Sequence, residues 1–589
     1  MTLIERDKFA DALSLGKLRL KLLAGPLMKI LKFQRLNKLY DQHKHIHGVG
    51  FIDACFREFK VSYDIPENDL KNIPATGPVV FIANHPYGGL DGMILIKIIA
   101  NYRPDFKVMA NFILKNVEPL QDYFIPVDPF ELKNSTQRSL AGIKTTLEML
   151  SKGEAIGVFP AGEVSAIQNK SRKIVDKAWN PMIGKLITKS GAKVVPVYFG
   201  GGNSLLFNLL GLVHPWLRTA RLPSEMLNKK KHTVKIRIGK PILREEISDF
   251  NDNAQLMRFL RAKTYALGTT IEARKTYFTV PLRAKVQPEP IIEAVDPQLL
   301  EQEINKIRAT DFLAEVQDYE MYFSPSTDIP NILREIGWLR EITFREVGEG
   351  TNRAIDVDEY DLYFHHLFIW DRKQKRIVGA YRVGKGNELF NKFGVKGFYI
   401  NTLFQIKRGF YPILKQSVEL GRSFITKDYQ QKVFVLFLLW RGILMFMREN
   451  PEYRYLLGPV SISNKFLKVS KALLVFYIKK HFYDHEMAKH IRARKDFKVK
   501  SSYIDADIIF GNEKEASLKT IDNIISEMEP MGAKAPVLVR KYLQQNGRII
   551  GFNIDPKFNN SLDGFIIMDM KNAPAETIQM LEKSAGLSQ

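Results

Sequence analysis

His85 and Asp91 bracket the turn Asn84-His-Pro-Tyr-Gly-Gly-Leu-Asp91-Gly, which follows the apolar run Val79-Val-Phe-Ile-Ala83. The run predicts a buried strand, and residues 93–100 behind it predict a helix. Two glycines allow a turn sharp enough to bring Asp91 back within hydrogen-bond reach of His85. An imidazole at the mouth of a strand, oriented by a carboxylate, is a candidate general base for a hydroxyl nucleophile. The same residues also suit a structural arrangement, a capped histidine at a strand end with Asp91 starting the helix. One histidine and one aspartate do not separate the two readings.

The elements that would position this pair alternate between strand and helix patterns. Strands are expected at 79–83, 106–110, 155–159, 193–199 and 233–238, with helical stretches between most of them, giving an α/β domain that ends near Phe278. Three more segments fall at or just beyond strand ends, where such folds bind ligands. They are Phe124-Ile-Pro-Val-Asp128-Pro, Gly157-Val-Phe-Pro-Ala161-Gly162-Glu163-Val164-Ser and Val194-Val-Pro-Val-Tyr198-Phe-Gly-Gly-Gly-Asn203.

In this order the four segments resemble the blocks of the glycerolipid (lysophosphatidate-type) acyltransferases, over residues 50–245. That resemblance implies His85 as base toward an acceptor hydroxyl attacking an acyl thioester, with Asp91 holding the imidazole tautomer. Backbone N–H groups around Gly162 are the candidate oxyanion donors. Glu163 is a candidate for the acceptor's headgroup, or else a helix-start carboxylate. Two departures from the family pattern matter. Five residues, not four, separate His85 from Asp91, and the family's glutamate and arginine positions hold Ala161 and Val164. Valine cannot form a charge-assisted bond to a phosphate, so the expected acceptor is not lysophosphatidate. Both departures resemble the subgroup that acylates lyso-ornithine lipid.

The second half carries its own ordered polar set: Arg340 and Phe344, then Asp358 and Asp361, Arg382 on an expected strand 376–383, and Glu419 with Arg422. A strand at 363–370 pairs with 376–383 as an expected hairpin. Glu419 and Arg422 are three apart and face opposite sides of a regular strand. If both serve one site, a bulge or strand end is expected near Gly421. This set resembles the acyl-homoserine-lactone (autoinducer) synthases, and more closely the haemolysin-like ornithine-lipid N-acyltransferases, which share the α+β sheet of the N-acetyltransferases. Pro536-Val-Leu-Val-Arg540, Gly551-Phe-Asn-Ile-Asp555 and Leu562-Asp-Gly564 extend the resemblance to the tail. It implies an amine attacking a thioester, with Glu419 as the proton acceptor. Asp358 and Asp361 either orient an amino acid or pair with Arg340 and Arg382 as a structural network. Where coenzyme-A-dependent N-acetyltransferases carry a glycine-rich pyrophosphate loop, this chain reads Asp428-Tyr-Gln-Gln-Lys-Val-Phe-Val. That favours an acyl-carrier protein as thioester donor.

The 589 residues are too many for one ordinary domain, and 45% hydrophobic content supports sizeable cores. The expected division is a basic amphipathic membrane-surface segment at 1–45, an O-acyltransferase domain at 46–278, a linker at 279–310 and an N-acyltransferase domain at 311–589. A single cysteine, Cys55, reads as a small buried hydrophobe in a reducing compartment. No run approaches the ~18 apolar residues of a membrane span. A net charge of +23 calls for an acidic partner, and residues 17–33 mix Lys and Arg with bulky apolar residues as an interfacial helix does. Nucleic acid is disfavoured, because no zinc-finger, RNA-binding or basic-zipper pattern occurs. His43, His45 and His47 lack partners for a metal site, and His365 and His366 read as structural. No cofactor beyond the carrier-protein thioester is expected.

Taken together the chain resembles a bifunctional ornithine-lipid synthase, cytoplasmic and peripheral on the inner face of the membrane. Its implied substrates are an amino acid, ornithine or similar, and a lyso-aminolipid. The alternatives are a phospholipid-remodelling acyltransferase with a non-catalytic second half, or a non-enzymatic basic membrane-surface protein.

Overall fold

The computed structural model describes residues 24–111, 114, 116–127, 136–168, 173–213, 215–229, 232–271, 288–430, 432–498, 505–510, 517–529 and 532–575. Asp128, residues 1–23 of the expected basic segment and 279–287 of the expected linker lie outside them. Two compact units divide the chain, one of residues 1–279 with 501–515, the other of residues 280–500 with 516–589. No described helix is long and apolar enough to cross a membrane.

The first unit is built on seven strands: β1 (Val61–Asp64), β2 (Val79–Ala83), β3 (Lys107–Asn111), β4 (Phe124–Val127), β5 (Ala155–Val158), β6 (Lys193–Phe199) and β7 (His232–Ile238). Their order is β1-β7-β6-β2-β5-β3-β4, and every neighbouring pair is parallel except β6 with β7. All five residues of the central strand β2 are buried, which is why it reads as an unbroken apolar run rather than an alternation. Helix α1 (Gly89–Ala100) follows it and buries Leu90, Ile94, Leu95, Ile96, Ile98 and Ile99. Helices α2 (Pro215–Leu227) and α3 (Asn253–Leu267) belong to the same unit.

The domain expectations need three corrections. The helix Phe33–His43 packs Leu36, Leu39 and Tyr40 on the first unit's own core, so this part of the 1–45 segment turns its apolar face inward. Helix α4 (Pro297–Ile307), expected in the linker, buries Leu300, Ile304 and Ile307 in the second unit's core. Its i, i+4, i+7 apolar stripe is masked in the sequence by a charged outer face. The short helix Ala506–Ile509 packs against α3 in the first unit, with Arg258 donating to Asp505 (2.9 Å from Nη2), so 311–589 is not one continuous domain.

The main sheet of the second unit has eight strands: β8 (Phe312–Val316), β9 (Tyr319–Pro325), β10 (His365–Asp371), β11 (Arg376–Lys385), β12 (Ser417–Ile425), β13 (Tyr455–Ile462), β14 (Arg548–Asp555) and β15 (Ser561–Asp569). They run in the order β8-β9-β10-β11-β12-β13-β15-β14. All pairs are antiparallel except β12 with β13, which pair in parallel over only three residues, Ser417–Glu419 against Tyr455–Leu457. Beyond that point two residues of β12, Arg422 and Ser423, oppose the single Tyr381 of β11. Arg422 takes a φ of 51°, and this bulge is the one expected near Gly421. Helix α5 (Pro330–Val347) buries Ile332 and Ile336 against Phe368 and Trp370 of the sheet, and helix α6 (Val433–Glu449) follows β12.

Candidate active sites

In the first unit the site begins where β2 ends. The side-chain amide of Asn84 replaces ladder bonds: Nδ2 donates to the Phe199 carbonyl (2.9 Å) and Oδ1 accepts from the Phe199 N–H (2.7 Å). His85 is then gripped by its backbone. Its N–H donates to Asp176 Oδ1 (3.2 Å), and its carbonyl accepts from the Ser165 N–H (2.8 Å). Asp176 is buried and also accepts from Trp179 Nε1 (3.0 Å) and the Ser165 hydroxyl. Sequence reasoning missed Asp176, because nothing in its neighbourhood marks a residue that works 91 positions away. Gly88, at φ 85° and ψ −130°, makes the last bend in a region closed to other residues and absorbs the fifth residue between His85 and Asp91.

Asp91 falls at the third position of α1. Its Oδ2 accepts from the N–H groups of Tyr87 (2.8 Å) and Gly88 (3.0 Å) and lies 3.0 Å from His85 Nδ1. The two placements expected for Asp91 therefore coincide in one carboxylate, which starts the helix and lies against the imidazole. Burial pushes the Asp91 carboxyl up, against the pull of His85 and the two N–H groups. The His85 ring packs on Phe159, ring centres 4.3 Å apart, and its side chain keeps 18% exposure. With Nδ1 turned to Asp91, Nε2 is the ring nitrogen directed away from the carboxylate.

The third segment places its residues differently from expectation. The Gly162 N–H is taken up in a turn, donating to the Phe159 carbonyl (3.1 Å), so it is not free to meet an oxyanion. Glu163 is held between Arg218 of α2 (2.8 Å) and Lys177 (2.5 Å), which occupies the carboxylate expected to receive a headgroup. Val164 is buried.

In the second unit the ordered polar set converges, but mostly on itself. Arg340 Nη1 donates to Asp361 Oδ1 (2.7 Å), and Arg382 Nη1 donates to Asp358 Oδ1 (2.5 Å). Arg422 lies 3.3 Å from Asp358 Oδ2 and 3.4 Å from Asp356 Oδ1. Burial opposes ionisation of Asp361, yet Arg340 and Arg382 hold its carboxyl below the usual range. Of the two readings offered for Asp358 and Asp361, the ion-pair network is the one formed. His366 is buried beside it, pushed down to about 3 by burial and by Arg340, and is a neutral ring.

A cavity opens where β12 and β13 part. Phe344, Glu349, Arg382, Arg422, Asp555 and Asp563 line it, with Tyr399. Glu349 is placed by the end of α5, where Gly348 at φ 80° closes the helix and the Glu349 N–H donates to the Phe344 carbonyl (2.8 Å). Glu419, the expected proton acceptor, does not line this cavity. It is 1% exposed, and its two oxygens accept from the N–H groups of Tyr399 (3.0 Å) and Ile400 (2.6 Å). Burial pushes it up to about 7. In this position Glu419 anchors the 399–402 turn.

The first unit thus carries a histidine–aspartate pair at the mouth of a largely parallel sheet, and the second an arginine-lined cavity in a splayed sheet. Residues 20–274 match the family described as Acyltransferase, and residues 339–441 match that described as Acetyltransferase (GNAT) domain. A glycine N(alpha)-acyltransferase of Bacteroides thetaiotaomicron is 28% identical over 285 residues, 46% of this chain and 83% of that protein. A lyso-glycine lipid O-acyltransferase of the same organism is 27% identical over 256 residues, 42% of this chain and 90% of that protein. The crystal structure of PlsC, the 1-acyl-sn-glycerophosphate (LPA) acyltransferase of Thermotoga maritima, aligns with a TM-score of 0.26 at 16% identity, covering 41% of this chain and 81% of that one.

Proposed function

We propose that the chain builds a two-chain aminolipid in two steps. The second unit joins a 3-hydroxyacyl group from a thioester to the amine of an α-amino acid, and the first unit esterifies the 3-hydroxyl of the resulting lyso-aminolipid. The observation that carries this reading is that relatives named for these two successive reactions each match at 83% and 90% of their own lengths, over less than half of this chain. Glycine is the first amino acid to test, from the relatives' names, with ornithine next, from the sequence resemblance.

For the ester step, His85 Nε2 takes the proton of the 3-hydroxyl as the oxygen attacks the thioester carbonyl. The C–O bond forms, the C–S bond breaks, and the imidazolium returns its proton to the departing thiolate. Buried Val164 at the family's arginine position supports an acceptor without a phosphate. The donor is an acyl-carrier protein in this reading. Between β12 and α6 the chain has no glycine-rich loop; Tyr429 fills that place and its hydroxyl donates to Asp371 (2.7 Å).

Purified protein supplied with an acyl thioester and either N-(3-hydroxyacyl)glycine or lysophosphatidate tests the acceptor. The expected product is the ester of the first and none from the second. Acylation of lysophosphatidate alone would overturn the reading.

A further inference from the structure

We infer that Asp563, rather than Glu419, is the group that takes the proton from the attacking amine in the second unit, an inference that rests on the N-acylation reading above. The geometry is that of a cavity with two unlike walls. One wall carries Arg382, buried and with its Nε–H lacking a hydrogen-bond acceptor among the described residues, and Arg422, 10% exposed and with its Nε 3.4 Å from Asp356 Oδ1. Arg422 lies over the Phe558 ring (4.3 Å), itself part of the lining. The facing residues are Asp563 and Asp555, 2% and 3% exposed, with Glu349. A zwitterionic amino acid fits such a cavity in one sense only, carboxylate to the guanidinium side and ammonium to the carboxylates.

Asp555 is engaged by a backbone N–H and a phenol, Asp563 only by serine hydroxyls of the sheet, and Glu349, which burial also raises to about 7, is the competing acid that the test below separates from it. Asp555 Oδ1 accepts from the Lys557 N–H (2.8 Å), and its Oδ2 faces the Tyr399 hydroxyl (3.5 Å). Asp563 sits on β15 opposite Ser461 of β13 and Asn553 of β14, held by the hydroxyls of Ser561 (3.0 Å) and Ser461. Of the titratable and charged groups around it, Asp555 and Glu349 raise its pKa, while Arg382, Arg422 and Tyr399 line the same cavity. Burial, then Asp555, pushes Asp563 up to about 7, where a base is half-ionised and effective near neutral pH. The ammonium gives one proton to the Asp563 carboxylate. The neutral nitrogen attacks the thioester carbonyl, the C–N bond forms and the C–S bond breaks. The nitrogen loses its second proton as the thiolate leaves as thiol.

The test uses the full chain with glycine and 3-hydroxyacyl thioesters of acyl-carrier protein and of coenzyme A, reading amide by mass and thiol release against pH. Asp563→Asn is expected to lower kcat by about 10²–10⁴ at pH 7 and to remove the acid limb of the profile near pH 7. Asp563→Glu should restore part of both. Ser461→Ala, a half-exposed change that keeps the carboxylate, should move the acid limb to higher pH, because a hydroxyl that favours the ionised form is lost. An unmoved limb in Ser461→Ala, or a limb kept in Asp563→Asn and lost in Glu349→Gln or Glu419→Gln, would overturn the inference. Absence of amide from the unaltered chain with both donors would instead refute the N-acylation reading.

Discussion

At the scale of single residues, Asp91 joins two duties in one carboxylate, and they separate by experiment. Its folded pKa is raised by burial, so its ionisation costs stability that is present below the unfolded value and is lost as pH rises through the folded one. Asp91→Asn cannot ionise and keeps an oxygen for the Tyr87 and Gly88 N–H groups. Its thermal midpoint relative to the unaltered chain should therefore improve from pH 3.5, below the ordinary carboxylate value, to pH 8, while ester formation falls by about 10²–10⁴. Thermal melts at the two pH values, alongside the ester assay, check both halves. His85 and Asp91 were legible in the sequence because a glycine-rich turn permits few outcomes. Asp176 was not, since its grip on the His85 backbone depends on a contact that no local pattern encodes. The carboxylates of the second unit show the opposite failure. Glu419 stood in the resembling motif and faces two backbone N–H groups, whereas Asp563 stood in a tail noted only for its likeness and opens on the cavity.

At the scale of elements, the bulge on β12 governs the second site. It turns Arg422 to the side of Asp356 and Asp358, and it lies just past the point where β12 and β13 stop pairing. Arg422→Ala leaves Asp356 and Asp358 short of a buried partner and should cost about 3–5 kcal/mol in a denaturant titration of the chain. Glu419→Gln keeps one acceptor oxygen for the two N–H groups of the 399–402 turn. One of them is stranded, at about 1–3 kcal/mol, with the acid limb of amide formation retained. The strands themselves were readable from alternation and apolar runs; the bulge was expected on the condition that Glu419 and Arg422 share one site, and it is present although only Arg422 lines the cavity. Which aspartate pairs with which arginine was not readable. It depends on β10, β11 and β12 lying side by side, and pairing order across a sheet leaves no mark in any one strand.

At the scale of the whole molecule, two acyltransferase units on one chain of net charge +23 suit a donor carried by an acidic protein. Raising salt from 50 to 500 mM should lower kcat/KM for the carrier-protein thioester several-fold, through slower association, and leave that for a small acyl thioester nearly unchanged. Stopped-time assays at the two salt levels check this. The two-unit plan was legible because each half carries its own ordered motif. The borders were not: α4 hides a core stripe under charges, and residues 505–510 return to the first unit from far along the chain. The most direct measurement of the central claim is lipid mass spectrometry of a host expressing the chain or its His85→Ala variant. Division of the work between the units predicts that the unaltered chain makes the two-chain aminolipid and that His85→Ala accumulates the one-chain amide in its place. Disappearance of both species in a folded His85→Ala protein, or an undiminished two-chain product, would contradict it.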